Sequence, residues 1–134
     1  MDLGIKGKKA IVCASSKGLG LGCALSLAEA GVDLIINSRD AGNLDNALNL
    51  ITSKYQVRVE TVVADITTKT GQEAVLEKAE NNLDILVTNA GGPPPGLWSE
   101  WSRSDFILAL DANMLTPIAL MKEVLPGMID KGWG

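Results

Sequence analysis

The chain alternates short β-branched apolar runs with longer stretches whose apolar residues recur at helical spacing. Lys9-Ala10-Ile11-Val12-Cys13-Ala14 reads as a buried strand and runs straight into a glycine cluster. Gly20 to Ala30 carries Leu21, Ala24, Leu25 and Ala28 at helical intervals and is stopped by Gly31. Val32 to Asn37 predicts a second strand, and Ala41 to Tyr55 a helix with Leu44, Ala47, Leu48 and Ile51 in one stripe. Arg58 to Ala64 alternates as a third strand. Thr67 to Asn82 predicts a helix with Val75, Leu76 and Ala79 inward, and Leu83 to Thr88 a fourth strand. Gly91-Gly92-Pro93-Pro94-Pro95-Gly96 is too rich in proline and glycine for helix or central strand and predicts a rigid loop. Ser102 to Lys131 then predicts a long helical region interrupted at Pro117 and Pro126.

This order predicts an α/β fold of parallel strands, joined by right-handed crossovers, with helices on both faces. Strands this apolar suit a sheet covered on both sides. Residues 1–134 are expected to form one compact domain, without internal repeat, low-complexity tract or linker. Composition changes this picture little: 46% apolar and 21% charged residues are ordinary for a globular chain rather than a disordered one. A net charge of −4 argues against a nucleic-acid partner. No uninterrupted apolar run reaches the roughly 18–20 residues of a membrane helix, and MDLGIKGKKAIV lacks the apolar core of a signal peptide. Cys13 and Cys23 form no CxxC pair and the chain has no histidine, so no metal site is expected. Both thiols are expected to be buried and reduced, in a cytoplasmic protein.

Candidate chemistry collects where strands end. Ala14-Ser15-Ser16-Lys17-Gly18-Leu19-Gly20-Leu21-Gly22 lies between the first strand and the first helix. A helix start offers unpaired N–H groups and partial positive charge, and glycines let a pyrophosphate approach the backbone. The spacing is not the usual G-x-G-x-x-G. At the end of the second strand stands Asn37-Ser38-Arg39. NAD-binding folds place an acid here to bond the ribose hydroxyls, whereas a cation pairs with a 2′-phosphate. Lys17 and Arg39 therefore favour NADP(H); the competing reading makes Arg39 a solvated loop charge and Asp40 the relevant residue, although Asp40 is better placed as a helix cap. Asp65-Ile66 follows the third strand and Asn89-Ala90-Gly91 the fourth; taken alone, the first is a loop or cap and the second an ordinary turn.

In this order the motifs resemble those of the short-chain dehydrogenase/reductase family. CASSKGLGLG resembles its T-G-x-x-x-G-x-G turn: Gly18 and Gly20 match, while Cys13 and Ala14 stand in place of Thr-Gly, with Ala14 expected to narrow the turn slightly. The resemblance implies a Rossmann-like doubly wound sheet, incomplete at four strands, with the cofactor on Ala14, Ser16, Lys17, Gly18, Leu19, Gly20 and Arg39. It implies that Asp65 and the Ile66 N–H hold adenine, and that Asn89, Ala90 and Gly91 border the adenosine pocket. Asn113 corresponds to the asparagine of the family's catalytic Asn-Ser-Tyr-Lys set. A physical argument runs beside it: Pro117 has no N–H for the carbonyl of residue 113, which is left free within a kinked helix. The plain alternative is an incidental polar residue in a proline-distorted helix.

The family reduces carbonyls with a Ser, a Tyr and a Lys four residues after the Tyr. Tyr55 is the sole tyrosine and Val59 follows it at that spacing, so no Y-x-x-x-K occurs in the 134 residues. The resemblance, closest to 3-oxoacyl-[acyl-carrier-protein] reductases in ASSKGLGLG, NSRD and TNAGGPPPG, therefore implies the first half of a carbonyl reductase. The 134 residues alone are expected not to turn over; the alternative is a catalytically silent nucleotide-binding or dimerising module. An unpaired strand edge or the last helix is expected to pair with a second copy.

Overall fold

A computed structural model describes residues 1–134. Four parallel strands, β1 (Lys9–Val12), β2 (Asp33–Ser38), β3 (Val59–Val63) and β4 (Ile85–Val87), form one sheet in the order β3-β2-β1-β4. The helices are α1 (Gly18–Glu29), α2 (Ala41–Lys54), α3 (Lys69–Ala79), α4 (Arg103–Leu110) and α5 (Thr116–Lys131). Strand alternation divides the core between the two faces of the sheet. Ala10, Val12, Leu34 and Ile36 pack with Ala24, Ala28, Leu44, Ala47 and Ile51 of α1 and α2. Ile11, Cys13 and Ile35 point the other way, onto Val75 and Ala79 of α3 and Leu120, Val124 and Met128 of α5. This is the parallel sheet covered on both faces that the strand pattern predicts, and the Rossmann-like doubly wound arrangement that the family resemblance implies.

The chain runs outward from β1 through β2 to β3 and then returns to place β4 on the other side of β1. Strand order reverses at β1, and the crevice beyond its carboxyl end is where open α/β sheets take ligands. β4 is an edge strand, as expected of the strand that follows the long return.

Several expectations are corrected. β1 stops at Val12, short of Ala14, because Ala14 turns into the left-handed region with φ 47°. Cys13 is buried but Cys23 is exposed, since it lies on the solvent side of α1. The prolines do not interrupt the last helical region. A π-helical turn at Asp111–Leu115 joins α4 to α5, with the Thr116 N–H reaching back to the Asp111 carbonyl, and Pro117, which has no N–H to continue that ladder, stands directly after it. Pro126 lies inside α5 on its exposed side. The continuous helix Arg103–Lys131 is consequently long and apolar enough, by length and composition, to cross a membrane. Counting uninterrupted apolar residues missed this, because polar residues such as Asp111 and Asn113 break the run without lowering the helix's mean hydropathy far. Here Leu120, Val124 and Met128 seat the helix on the sheet.

The far end of α5 is fastened to the sheet. The Lys131 ammonium donates to the Leu83 carbonyl at 2.6 Å and to Asp84 Oδ1 at 2.8 Å. Asp84 Oδ2 also accepts from the Lys9 N–H at 2.9 Å, and Lys8 lies 3.8 Å from Oδ1. Burial pushes the Asp84 carboxyl up, but the Lys131 and Lys9 hydrogen bonds and the charges of Lys131 and Lys8 outweigh it, leaving it below the ordinary carboxylate value.

Candidate functional site

A cleft of about 460 Å³ opens at the carboxyl ends of the strands. Its wall combines the turn after β1 (Ala14, Ser16, Lys17, Leu19), the tip of β2 (Asn37, Ser38, Arg39), the segment after β3 (Ala64 to Thr67) and the segment after β4 (Asn89 to Gly92), with Ala112 of the π-turn closing one side. Four stretches well apart in sequence thus meet at one place because each follows a parallel strand.

The β1 turn is fixed from below. Cys13 N–H donates to the Val87 carbonyl at 3.1 Å, and Asn89 Nδ2 donates to the carbonyls of Cys13 and Ala14 at 3.3 and 3.0 Å. A Cβ at Gly20 would collide with the Ala14 carbonyl oxygen and stand 2.8 Å from Asn89 Nδ2. Glycine at 20 therefore lets helix and turn meet closely. Gly18 has φ 58°, a conformation that glycine adopts without strain. Ala14 shares the left-handed region, so its methyl group costs backbone strain rather than merely narrowing the turn, as its place in the motif had suggested.

α1 begins on Lys17, whose side chain caps nothing, and carries no acid in its first turn. Its first N–H groups therefore remain available to an anion. At the β2 tip the Ser16 and Ser38 hydroxyls bond each other at 3.0 Å, and Lys17 and Arg39, the residues that follow them in sequence, line the cleft. Asp40 turns away: its carboxylate accepts from the Asn43 N–H at 2.7 Å as the N-cap of α2, and it does not line the cleft. Asp65 is the one acid on the wall, against the two cations. The Thr67 hydroxyl and N–H, at 2.7 and 2.9 Å, both bond Asp65 Oδ1. Those two bonds, with the charge of Arg39, hold its carboxyl below the ordinary value despite some desolvation. It stays an acceptor. Beneath the turn, burial pushes the Cys13 thiol up to about 12, against a hydrogen bond from the Asn89 backbone, so this thiol is an inert core group.

Of the residues singled out in the sequence, Ala14, Ser16, Lys17, Leu19, Arg39, Asp65, Ile66, Asn89, Ala90 and Gly91 line the cleft. Gly18 and Gly20 shape the turn without lining it. Asn113 is neighbour to the cleft but not on its wall: it is exposed, and its Nδ2 donates to the Ala109 carbonyl at 3.0 Å, one turn back. Sequence reasoning passed over the structural roles of Ser15, Asn37, Ser38 and Thr67. For Asn37 a signal existed. Alternation along Leu34-Ile35-Ile36-Asn37 puts an amide at a buried position, and buried amides are hydrogen-bonded to something.

A family model described as short chain dehydrogenase matches residues 8–134. The chain belongs to the short-chain dehydrogenase family. It is 30% identical over 136 residues to gluconate 5-dehydrogenase of Gluconobacter oxydans, covering 97% of this chain and 52% of the relative. It is 28% identical over 137 residues to 3-oxoacyl-[acyl-carrier-protein] reductase of Aquifex aeolicus, covering 100% and 55%. Among solved structures, L-sorbose reductase from Gluconobacter frateurii, complexed with NADPH and L-sorbose, superimposes with a TM-score of 0.89 at 31% identity, covering 98% of this chain and 51% of that one. This short-chain dehydrogenase chain thus spans about half the length of the curated relatives it matches. Its fold and its membership of an oxidoreductase family follow directly.

Proposed function

We propose that residues 1–134 are the NADP(H)-binding unit of a carbonyl reductase. The observation that carries this reading is the β2 tip: Lys17 and Arg39 line the cleft together with the bonded Ser16–Ser38 hydroxyl pair, and the nearby Asp40 is engaged as a helix cap. A cleft wall with cations and hydroxyls and no acid at the ribose position suits a 2′-phosphate better than free ribose hydroxyls. The residues fit the cofactor in other respects also. Gly20 brings the start of α1 against the turn, where open N–H groups can hold a pyrophosphate, and Asp65 with the Ile66 N–H offers adenine an acceptor and a donor. Asn89, Ala90 and Gly91 border the adenosine half. When bound, NADP(H) supplies the hydride. The NADPH-bound L-sorbose reductase relative supports the same cofactor.

In the complete protein the substrate is a small carbonyl compound reduced to its alcohol. The turn ASSKGLGLG with NSRD and TNAGGPPPG favours a 3-oxoacyl thioester or a similar ketone, and Asn113 is the one member of the family's catalytic set in these residues. Arg39→Ala tests the cofactor reading. Loss of one charge-assisted phosphate contact, about 1.5–3 kcal/mol, weakens NADPH binding roughly ten- to hundredfold and leaves NADH unchanged. An equal loss for both nucleotides contradicts it.

A second reading is a catalytically silent nucleotide-binding or dimerising module, favoured by the absence of Y-x-x-x-K in these residues. Both readings predict that the 134-residue chain alone turns over no 3-oxoacyl thioester with NADPH, and a measurable steady-state rate contradicts both. They divide on the longer protein: a Ser and Y-x-x-x-K following residue 134 in the reading frame supports the reductase. We further infer a cytoplasmic setting, in keeping with two free cysteines. A second copy of the chain, rather than a membrane or nucleic acid, is the macromolecular partner proposed for the exposed face of α4 and α5.

A further inference from the structure

We propose that Asn37 is a positioning residue that holds Ala14 in its left-handed conformation and so locks the phosphate turn to the adenine side of the cleft. The consequence for binding rests on the NADP(H) reading; the mechanical claim does not. Asn37 is 1% exposed, and every polar atom of its side chain is committed. Nδ2 donates to the Val62 carbonyl at 3.1 Å and the Ala64 carbonyl at 2.9 Å, both at the end of β3. Those two bonds fix which way the amide faces, and Oδ1 is thereby aimed at the Ala14 N–H, 3.4 Å away. The backbone of Asn37 adds a reciprocal pair with Ser15: its N–H donates to Ser15 Oγ at 3.1 Å and its carbonyl accepts from the Ser15 N–H at 2.8 Å.

Ala14 needs such a hold. An alanine at φ 47° is held in a conformation that an L-residue leaves when free to do so. Its carbonyl is fixed by Asn89 Nδ2 at 3.0 Å and abuts Gly20, while its N–H depends on Asn37. One buried amide therefore spans the β1 turn, the β2 tip and the segment leading to Asp65. If that link is cut, Ala14 relaxes, its carbonyl swings against Gly20, and the start of α1 shifts relative to Asp65 and Arg39.

The test is a double-mutant cycle of Asn37→Leu and Ala14→Gly in the 134-residue chain, because glycine takes the left-handed turn without being held. Loss of a buried hydrogen bond predicts that Asn37→Leu weakens NADPH binding about tenfold when Ala14 is retained, but only about two- to threefold in the Ala14→Gly background. The melting temperature should fall less in the Ala14→Gly background as well. A side chain that merely stitches β2 to β3 gives the same loss in both backgrounds, and that result overturns the proposal. If the wild-type chain binds no dinucleotide, the NADP(H) reading fails, while the coupling of melting temperatures still tests Asn37. Should Asn37→Leu not fold, amide hydrogen exchange of the wild-type chain decides. Protection of the Ala14 N–H comparable to that of the Ser15 N–H supports the link, and exchange at the rate of an open turn overturns it.

Discussion

Ala14 stands at φ 47°, in a conformation glycine adopts without the clash its Cβ suffers. Ala14→Gly is therefore expected to stabilise the chain by about 0.5–1 kcal/mol, the left-handed penalty relieved less glycine's larger entropy loss. A denaturant titration measures it, and a destabilised variant would mean that the methyl group packs usefully. Gly20→Ala has the opposite sign. Its Cβ would meet the Ala14 carbonyl oxygen and Asn89 Nδ2, neither able to retreat, so stability falls by about 1–3 kcal/mol; an unchanged melting temperature contradicts the close approach. Individual motif residues were legible where chemistry constrains them narrowly. Gly18, Gly20, Lys17 and Arg39 announce a turn and two cations by type alone. The burial of Asn37 is legible from strand alternation, but its partners are not, because Val62 and Ala64 lie 25 and 27 residues away and are carbonyls that no sequence pattern marks.

At the scale of elements, alternation and helical stripes gave all four strands and the helices between them, because each face of this sheet is buried by apolar side chains at fixed period. The long helix is less legible. Proline inside a helical pattern signals a break, yet Pro117 occupies a first turn after a π-bulge and Pro126 faces solvent, so neither ends the helix. Nor did spacing show that Asp84 ties β1 to α5, since Lys8, Lys9 and Lys131 converge on it from opposite ends of the chain. Asp84→Asn is expected to cost about 2 kcal/mol, the scale of a charge-assisted hydrogen bond, and to loosen the end of α5. The pH dependence has a definite sign. A carboxyl whose value is lowered by folding stabilises the fold above its unfolded value and loses that contribution as pH falls through the folded one. Acid below about pH 4 should therefore destabilise the wild type more than Asp84→Asn. Equal acid sensitivity contradicts the tether.

For the whole molecule, the carboxyl ends of the strands gather the four strand-end motifs into one cleft, with Asn113 left beside it, which is why their order along the sequence carries more information than any one of them. The opposite side of the long helix is different. Ile107, Leu110, Met114, Ile118, Leu125 and Ile129 follow one another at helical spacing and are exposed, and β4 is an edge strand of the sheet. An apolar ridge of this length favours association. Sedimentation at high concentration is expected to show a dimer or larger species, reduced to monomer by Ile118→Glu; a wild-type monomer contradicts it. Association could be anticipated from an unpaired edge, but the ridge itself depends on the helix remaining continuous through Pro117. In the proposed function, Lys17 and Arg39 make this cleft selective for the 2′-phosphorylated dinucleotide. Calorimetric titration of the 134-residue chain with NADPH and with NADH tests it most directly. Tighter NADPH binding by about tenfold or more, the scale of one charge-assisted phosphate contact, is predicted; equal affinities, or tighter NADH, would contradict it.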